Sequence, residues 1–434
     1  MISTAIRAGA VGACSALALW AGVAQAQERA VAFEGATIHT MAGPALDNAT
    51  LVVEGGKIVA VGTDVAVPAD AERRDASGMV IMPGIVDTHS HIGSVAGADS
   101  SSPIQPEVRA MDSINPRDAS IAKARSGGVT TANVMPGSGW LVSGQTFYMR
   151  LRDGETIEDI AWFFPDGSVM GGLKMANGTN PIRETPGFPT TRAKSAALVR
   201  AAFTEAEAYC GGDRKTVDLG KEVLCEVLSG KRLVHHHTHR ADDIMTVLRL
   251  QREFGFKVLI QHGMEAWKVA EELAAAGIPV SNILVDSPGG KLEAQESRLD
   301  TAATLEQAGV LTSLHSDDGI IDSRLMFRQA GIAVRGGMSR EGALRALTIN
   351  GARQLGLDDR VGSLEVGKDA DFILLSGDPL SVYTDVMETW VEGEKLFDRT
   401  TEEGKLLAEG GYGAGSPMEL SHHHWEAAEA ETGQ

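Results

Sequence analysis

Basic residues are the first shortage. Across 434 residues the chain carries 39 Lys and Arg against 58 Asp and Glu, a formal net charge of −19. That balance repels phosphate backbones and argues against nucleic acid as a partner. Cysteine is scarce too, with three in all. Cys14 lies in an apolar leading segment. Cys210 and Cys225 either pair across a modest loop or sit as two small buried hydrophobes. Neither has a histidine beside it, so a thiol nucleophile is not indicated. No Gly-rich dinucleotide fingerprint follows the early strands, which weakens the case for a doubly wound open sheet. The apolar run in the leading segment is Ala-rich and shorter than the ~20 residues a membrane anchor needs.

That leading segment reads instead as an export signal. Arg7 supplies the positive end, an apolar stretch runs through ALALWAG, and Ala24 to Ala26 (AQA) offers small residues for cleavage. Cleavage there would leave a periplasmic or secreted chain from residue 27, with no membrane span. At 43% hydrophobic and 22% charged residues, the remainder reads as globular. Its length suits a large barrel with an accessory domain.

The two ends of that remainder are strand-rich. TLVVEGGKIVAVG alternates around Gly55-Gly56, and METWVEGEKLFD turns at Glu392-Gly393. Between them, short apolar strands alternate with helical stretches: strands at 85–91, 128–135, 168–176, 232–239, 256–263, 277–283 and 309–317, with helices at 241–255 and 266–277. This is the pattern of an α/β chain folded as a (β/α)₈ TIM barrel. The expected division is a signal peptide at 1–26, a β-sandwich built from 27–83 and 356–405, a barrel at 84–355, and a flexible acidic tail at 406–434. The tail histidines 422–424 read as solvated.

Of twelve histidines, eight fall at or just past the C-terminal end of an expected barrel strand. That face carries the active site of such barrels, and burying so many imidazoles with no shared partner is costly. In IVDTHSHIG, residues two apart share a face, so His89 and His91 point together into the mouth. In LVHHHTHR the same parity sets His235, His237 and His239 on one face and His236 on the other. His237 is the ligand candidate at the mouth, with a two-residue register shift left open. His262 and Asp317 end later strands, and Lys174 ends GGLKMA. An ammonium beside a metal would be repelled. Lys174 therefore either stands aside in a one-metal site or adds CO₂ to become a carbamate able to bridge two ions, which together activate a water. Arg240 either clamps a substrate carboxylate or pairs with Asp242 or Asp243. Trp140 and the loop 178–185 are further candidates for substrate contact, as is His239.

With these residues in view, the chain resembles the amidohydrolase superfamily, in the group similar to imidazolonepropionase and metal-dependent Xaa-dipeptidases. MPGIVDTHSH, LKMANGTNP, HTHRADDI, LIQHGMEAWK, LHSDD and GSLEVGKDADFILLSGDPL match its successive segments in order. The resemblance implies that His89, His91 and Asp317 hold one metal, that His237 and His262 hold a second, and that carbamylated Lys174 bridges both. Asp317 would also move the proton from water to the leaving amine. Two zinc ions and hydrolysis of an amide in a small substrate, such as a dipeptide or N-acyl amino acid, follow as expectations. Imidazolonepropionase itself is a cytosolic one-metal enzyme lacking the lysine, so a one-metal cyclic-amide hydrolase or deaminase, or a silent relative, are the alternatives. A homo-oligomer is compatible with the sequence.

Overall fold

Two tight turns organise the first sheet. Gly55 and Gly56 (φ 56° and 75°) join Glu54 to Lys57, and Glu392 and Gly393 (φ 49° and 78°) join Val391 to Glu394. Positive φ at both central positions gives the twist a two-residue hairpin needs, which is why glycine recurs there. The computed structural model describes residues 29–93, 99–284, 291–411 and 413–414. The export segment and the tail histidines lie outside these residues.

Among the described residues the strands form three sheets. The largest, with eight strands, is built from both ends of the chain. Its order runs Glu394–Asp398, Val386–Val391, Phe372–Leu375, Val80–Pro83, Val31–Ile38, Leu46–Glu54 and Lys57–Gly62, and Glu72–Asp75 also pairs with Val31–Ile38. Phe372 and Trp390 stack in its core with Phe33 edge-on to both, and the Arg74 guanidinium lies 5.3 Å from the Phe33 and Trp390 ring centres.

The other two sheets carry the middle of the chain. In one, Leu173–Ala176, Val234–Thr238, Val258–His262, Val280–Asn282 and Thr312–Leu314 lie parallel in sequence order. In the other, Ile85–Ser90 pairs parallel with Val129–Val134. Between them runs a stretch that strand–helix alternation did not anticipate. Val142–Gln145 pairs antiparallel with Leu173–Ala176, and Phe147–Arg150 pairs antiparallel with Val129–Val134. The result is an α/β fold with mixed sheets. The strand expected at 168–176 is shorter, beginning at Leu173.

Helices cover the outer faces. Ala241–Phe254 turns Ile244, Val247 and Leu248 inward and ends at Gly255 in the left-handed conformation. Arg192–Cys210 is tied to Leu219–Leu228 by a disulfide between Cys210 and Cys225. A last helix, Glu402–Glu409, runs across Leu406, where composition put the start of the tail. A buried polar layer joins the two smaller sheets. Thr88 Oγ1 lies 2.6 Å from Ser281 Oγ, and Asn133 Nδ2 donates to the Thr88 carbonyl at 3.1 Å.

Candidate metal centre

His89 and His91 extend from the end of Ile85–Ser90, and their Nε2 atoms lie 3.2 and 3.0 Å from Asp317 Oδ1. Asp317 reaches this point because its own N–H donates to the His89 carbonyl at 2.9 Å. Its φ is 50°, and that of His262 is 71°. Left-handed conformations at non-glycine residues cost roughly 1–3 kcal/mol each and persist where the surroundings hold them.

The imidazoles form one continuous cluster. Ring centres of His89 and His262 are 4.8 Å apart, His262 and His237 4.4 Å, and His237 and His239 4.6 Å. His262 Nδ1 lies 3.9 Å from Asp317 Oδ2. All of these rings are buried except that of His91, which is partly exposed. Burial keeps His89, His237 and His262 well below the usual histidine range, so they stand neutral, with lone pairs available. Burial alone would raise Asp317, but the neighbouring His89, His91 and His262 more than offset this and keep it an ionised carboxylate.

Four of these buried ring nitrogens, His89 Nδ1, His237 Nδ1, His239 Nδ1 and His262 Nε2, have no hydrogen-bond partner among the described residues. An orphaned buried polar atom costs about 1–3 kcal/mol, so several in one cluster mark donors held for a ligand. Donor atoms around a tetrahedral zinc ion stand about 3.3 Å apart, given bonds of about 2.0–2.1 Å. The separations from His89 and His91 to Asp317 match that spacing. Neutral imidazoles and a carboxylate are the donor set expected for zinc and similar divalent ions, so the residues fit such a group.

Lys174 is fully buried on Leu173–Ala176, its Nζ 3.2 Å from His89 Nε2 and 2.9 Å from Met135 Sδ. Burial pushes its amine down to about 7, with Asp317 opposing and Lys291 reinforcing the shift. At neutral pH much of it is therefore an unprotonated amine, the form that reacts with CO₂.

Around this core, His235 sits deeper, bonded to Tyr148 OH at 2.9 Å and Gln261 Nε2 at 3.1 Å. His236 faces its own strand's backbone, its Nδ1 3.1 Å from the His237 carbonyl. His239 stacks on His262 at 5.1 Å and contacts Lys291 Nζ at 3.2 Å. Trp140 lies under the Arg183 guanidinium. Arg240, a candidate carboxylate clamp, is instead half-exposed and bidentate to Asp242, with both contacts at 2.9 Å. A carboxylate two residues away offers it a rigid partner without any substrate.

Two residues at the centre had no assigned role in the sequence. His315 bonds His262 Nδ1 at 3.2 Å and Ser281 Oγ at 2.7 Å; its position two before Asp317 was the available signal. Glu293, buried beside His239, comes from a single 3-10 turn, Leu292–Ala294, too short to show a periodicity that would reveal it.

A buried cluster of imidazoles and carboxylates that could hold a metal ion, with a buried lysine beside it, lies on an α/β scaffold. A model of the amidohydrolase family matches residues 225–397. The crystal structure of an amidohydrolase from Thermotoga maritima MSB8 is 35% identical and superposes with a TM-score of 0.79, covering 85% of this chain and all of that one. The amidohydrolase tasK of Hapsidospora irregularis is 28% identical over 389 residues, which span 80% of this chain but only 40% of that protein. The imidazolonepropionase of Pseudomonas aeruginosa (strain UCBPP-PA14) is 26% identical over 369 residues, 76% of this chain and 87% of that one. The chain belongs to the amidohydrolase family.

Proposed function

We propose that the protein is a metal-dependent hydrolase of an amide C–N bond in a small substrate, such as a dipeptide or an N-acyl amino acid, and that it holds two divalent ions, zinc foremost. The observation that carries this reading is the convergence of His89 Nε2, His91 Nε2 and the Asp317 carboxylate within metal-ligand spacing, 3.2 and 3.0 Å from Asp317 Oδ1, in a buried imidazole cluster that also holds His237 and His262. His89, His91 and Asp317 would hold one ion and His237 and His262 the other, with Lys174 bridging as its carbamate. The bound ions supply Lewis acidity, which makes water easier to deprotonate and a carbonyl easier to attack.

The chain's own residues do the rest. Asp317 takes a proton from the attacking water at its carboxylate and returns it to the leaving amine nitrogen, general base and then general acid. His91 is oriented by its Nδ1, 2.7 Å from the Met135 carbonyl, and His237 by Asn180 Nδ2 at 3.2 Å from its Nε2.

The same reading treats residues 84–355 as a barrel whose arcs are the two smaller sheets. The contact of Asp317 N–H with the His89 carbonyl supports closure between the last and first strands. Residues 27–83 and 356–405 then form the accessory β-sandwich, consistent with one sheet drawing strands from both. The Cys210–Cys225 disulfide favours an oxidising, exported location, and no helix among the described residues is long and apolar enough to cross a membrane.

Elemental analysis of purified protein with a panel of dipeptides and N-acyl amino acids tests this reading. About two divalent ions per chain and chelator-sensitive hydrolysis are expected. A folded protein that takes up no divalent ion on reconstitution overturns it. Lys174→Ala should lower activity by about 10²-fold or more and reduce the bound metal. Full activity with one ion would favour instead a one-metal site, the reading suggested by the relative named imidazolonepropionase.

A further inference from the structure

Cations around the mouth of the site are mostly paired with acids. Arg240 pairs with Asp242, Arg192 with Asp243, and Lys291 with Glu293. Arg183 is the exception. It lies on the loop between Leu173–Ala176 and Arg192–Cys210, and no carboxylate contacts it among the described residues. Its guanidinium stands 4.9 Å from the Trp140 ring centre and 4.6 Å from that of Phe188. Its Nη2 donates to the backbone carbonyls of Gly139 and, at 3.3 Å, Asn180. Burial acts on its charge with no acid to offset it.

A half-buried guanidinium held between two aromatic faces has already lost most of its side-chain freedom, so little more is lost when it binds an anion. Its polar partners are neutral carbonyls on one nitrogen, which leaves the rest of a planar fork matched to a carboxylate. Next to it, the Trp140 indole N–H is buried without an acceptor. The loop also ties this guanidinium to the metal centre. The residue whose carbonyl Arg183 contacts, Asn180, places its own side chain on His237.

We infer that Arg183 anchors a carboxylate of the substrate one residue away from the scissile amide, so the substrate class is amides that carry a free carboxylate. This rests on the proposed amide hydrolysis only for the identity of the bond cut; the anion site stands on the geometry of Arg183.

The test compares N-acetyl-L-alanine with N-acetyl-L-alaninamide as ligands of the metal-loaded protein by calorimetry. The parent is expected to bind the acid at least about 10-fold more tightly than the amide, the range a charge-assisted contact supplies. Arg183→Met should abolish that preference at an unchanged melting temperature. Arg183→Lys, which keeps the charge but loses the fork, should retain only part of it, and decides the matter if the methionine variant does not fold. A parent without preference for the acid overturns the inference, as does a variant that keeps it in full. A preference that depends on Arg183 in a protein that hydrolyses no amide sustains the anion site and overturns the proposed reaction alone.

Discussion

Asp317 and Asp371 are both buried aspartates, and the fold uses them in opposite ways. Asp317, among imidazoles at the centre of the molecule, is held ionised well below the ordinary carboxylate range. Asp371 precedes Phe372–Leu375 in the large sheet and is 3% exposed. Burial pushes its pKa up to about 7, and Asp369 and Glu392 push the same way. The surroundings differ in the same sense. Charges near Asp371 are paired internally: Lys57 and Arg360 with Asp369, Arg74 with Glu388, Arg150 and Arg152 with Glu392. In the imidazole cluster beside Asp317, four buried ring nitrogens (His89 Nδ1, His237 Nδ1, His239 Nδ1 and His262 Nε2) have no hydrogen-bond partner among the described residues. Charges paired with one another indicate structure, and a cluster of several imidazoles around one carboxylate indicates a ligand.

Removing the charge at the centre should show this most strongly. Asp317→Asn is expected to lower kcat by about 10³-fold or more, since it removes the proton acceptor and weakens metal binding. Stability of the metal-free chain in urea at pH 7 should fall modestly as well, because a carboxylate whose pKa the fold holds below its ordinary value stabilises the folded state once ionised. A loss of more than about 2 kcal/mol with activity preserved would reverse the comparison and make Asp317 a structural residue.

The sheet side should respond the other way. Glu392→Gln removes the shared partner of Arg150, which also packs 3.9 Å from the Trp162 ring centre, and of Arg152. Breaking a fully buried pair costs roughly 3–5 kcal/mol. Because Glu392 is 26% exposed, about 1–3 kcal/mol is expected in urea unfolding. Turnover by the folded variant should stay within about twofold of the parent, as expected for a change away from the reacting groups. A large fall in kcat with stability intact would mean that the two regions are coupled.

The same division explains what was legible in the sequence. Hairpins at Gly55-Gly56 and Glu392-Gly393 were readable because turn chemistry is local. Strands carrying His89, His237 and His262 were readable because apolar runs stop abruptly at polar residues with a two-residue period, whereas the strand expected to end on Asp317 stops at Leu314, three residues before it. The strands at Val142–Gln145 and Phe147–Arg150 were not readable, since they are only four residues each and break the strand–helix alternation that marked the others. Arg240 looked available because its contest between substrate and Asp242 is decided by rotamer geometry. Glu293 comes from a single 3-10 turn and Arg183 from a loop, and in neither does a period mark which side chains return to the centre.

The smallest expected effect concerns how Asp371 responds to pH. Its folded-state pKa of about 7 lies above the ordinary value of 3.8. The protonated form is thus favoured by folding, and the stability it contributes is complete below about pH 4 and lost as pH rises towards 7. Asp371→Asn mimics the protonated form and still accepts the Glu392 N–H, a 2.8 Å contact in the parent. The ceiling is about 1.4 kcal/mol per pH unit. Between pH 5 and pH 7 the parent should therefore lose about 1–2 kcal/mol relative to the variant. Above pH 7 the difference should level off, because the carboxyl is then ionised in both folded and unfolded chains. Urea unfolding of both proteins across that range makes the measurement. A difference that is flat from pH 5 to 7 would mean that Asp371 stays charged inside the sheet, and the contrast with Asp317 would then disappear.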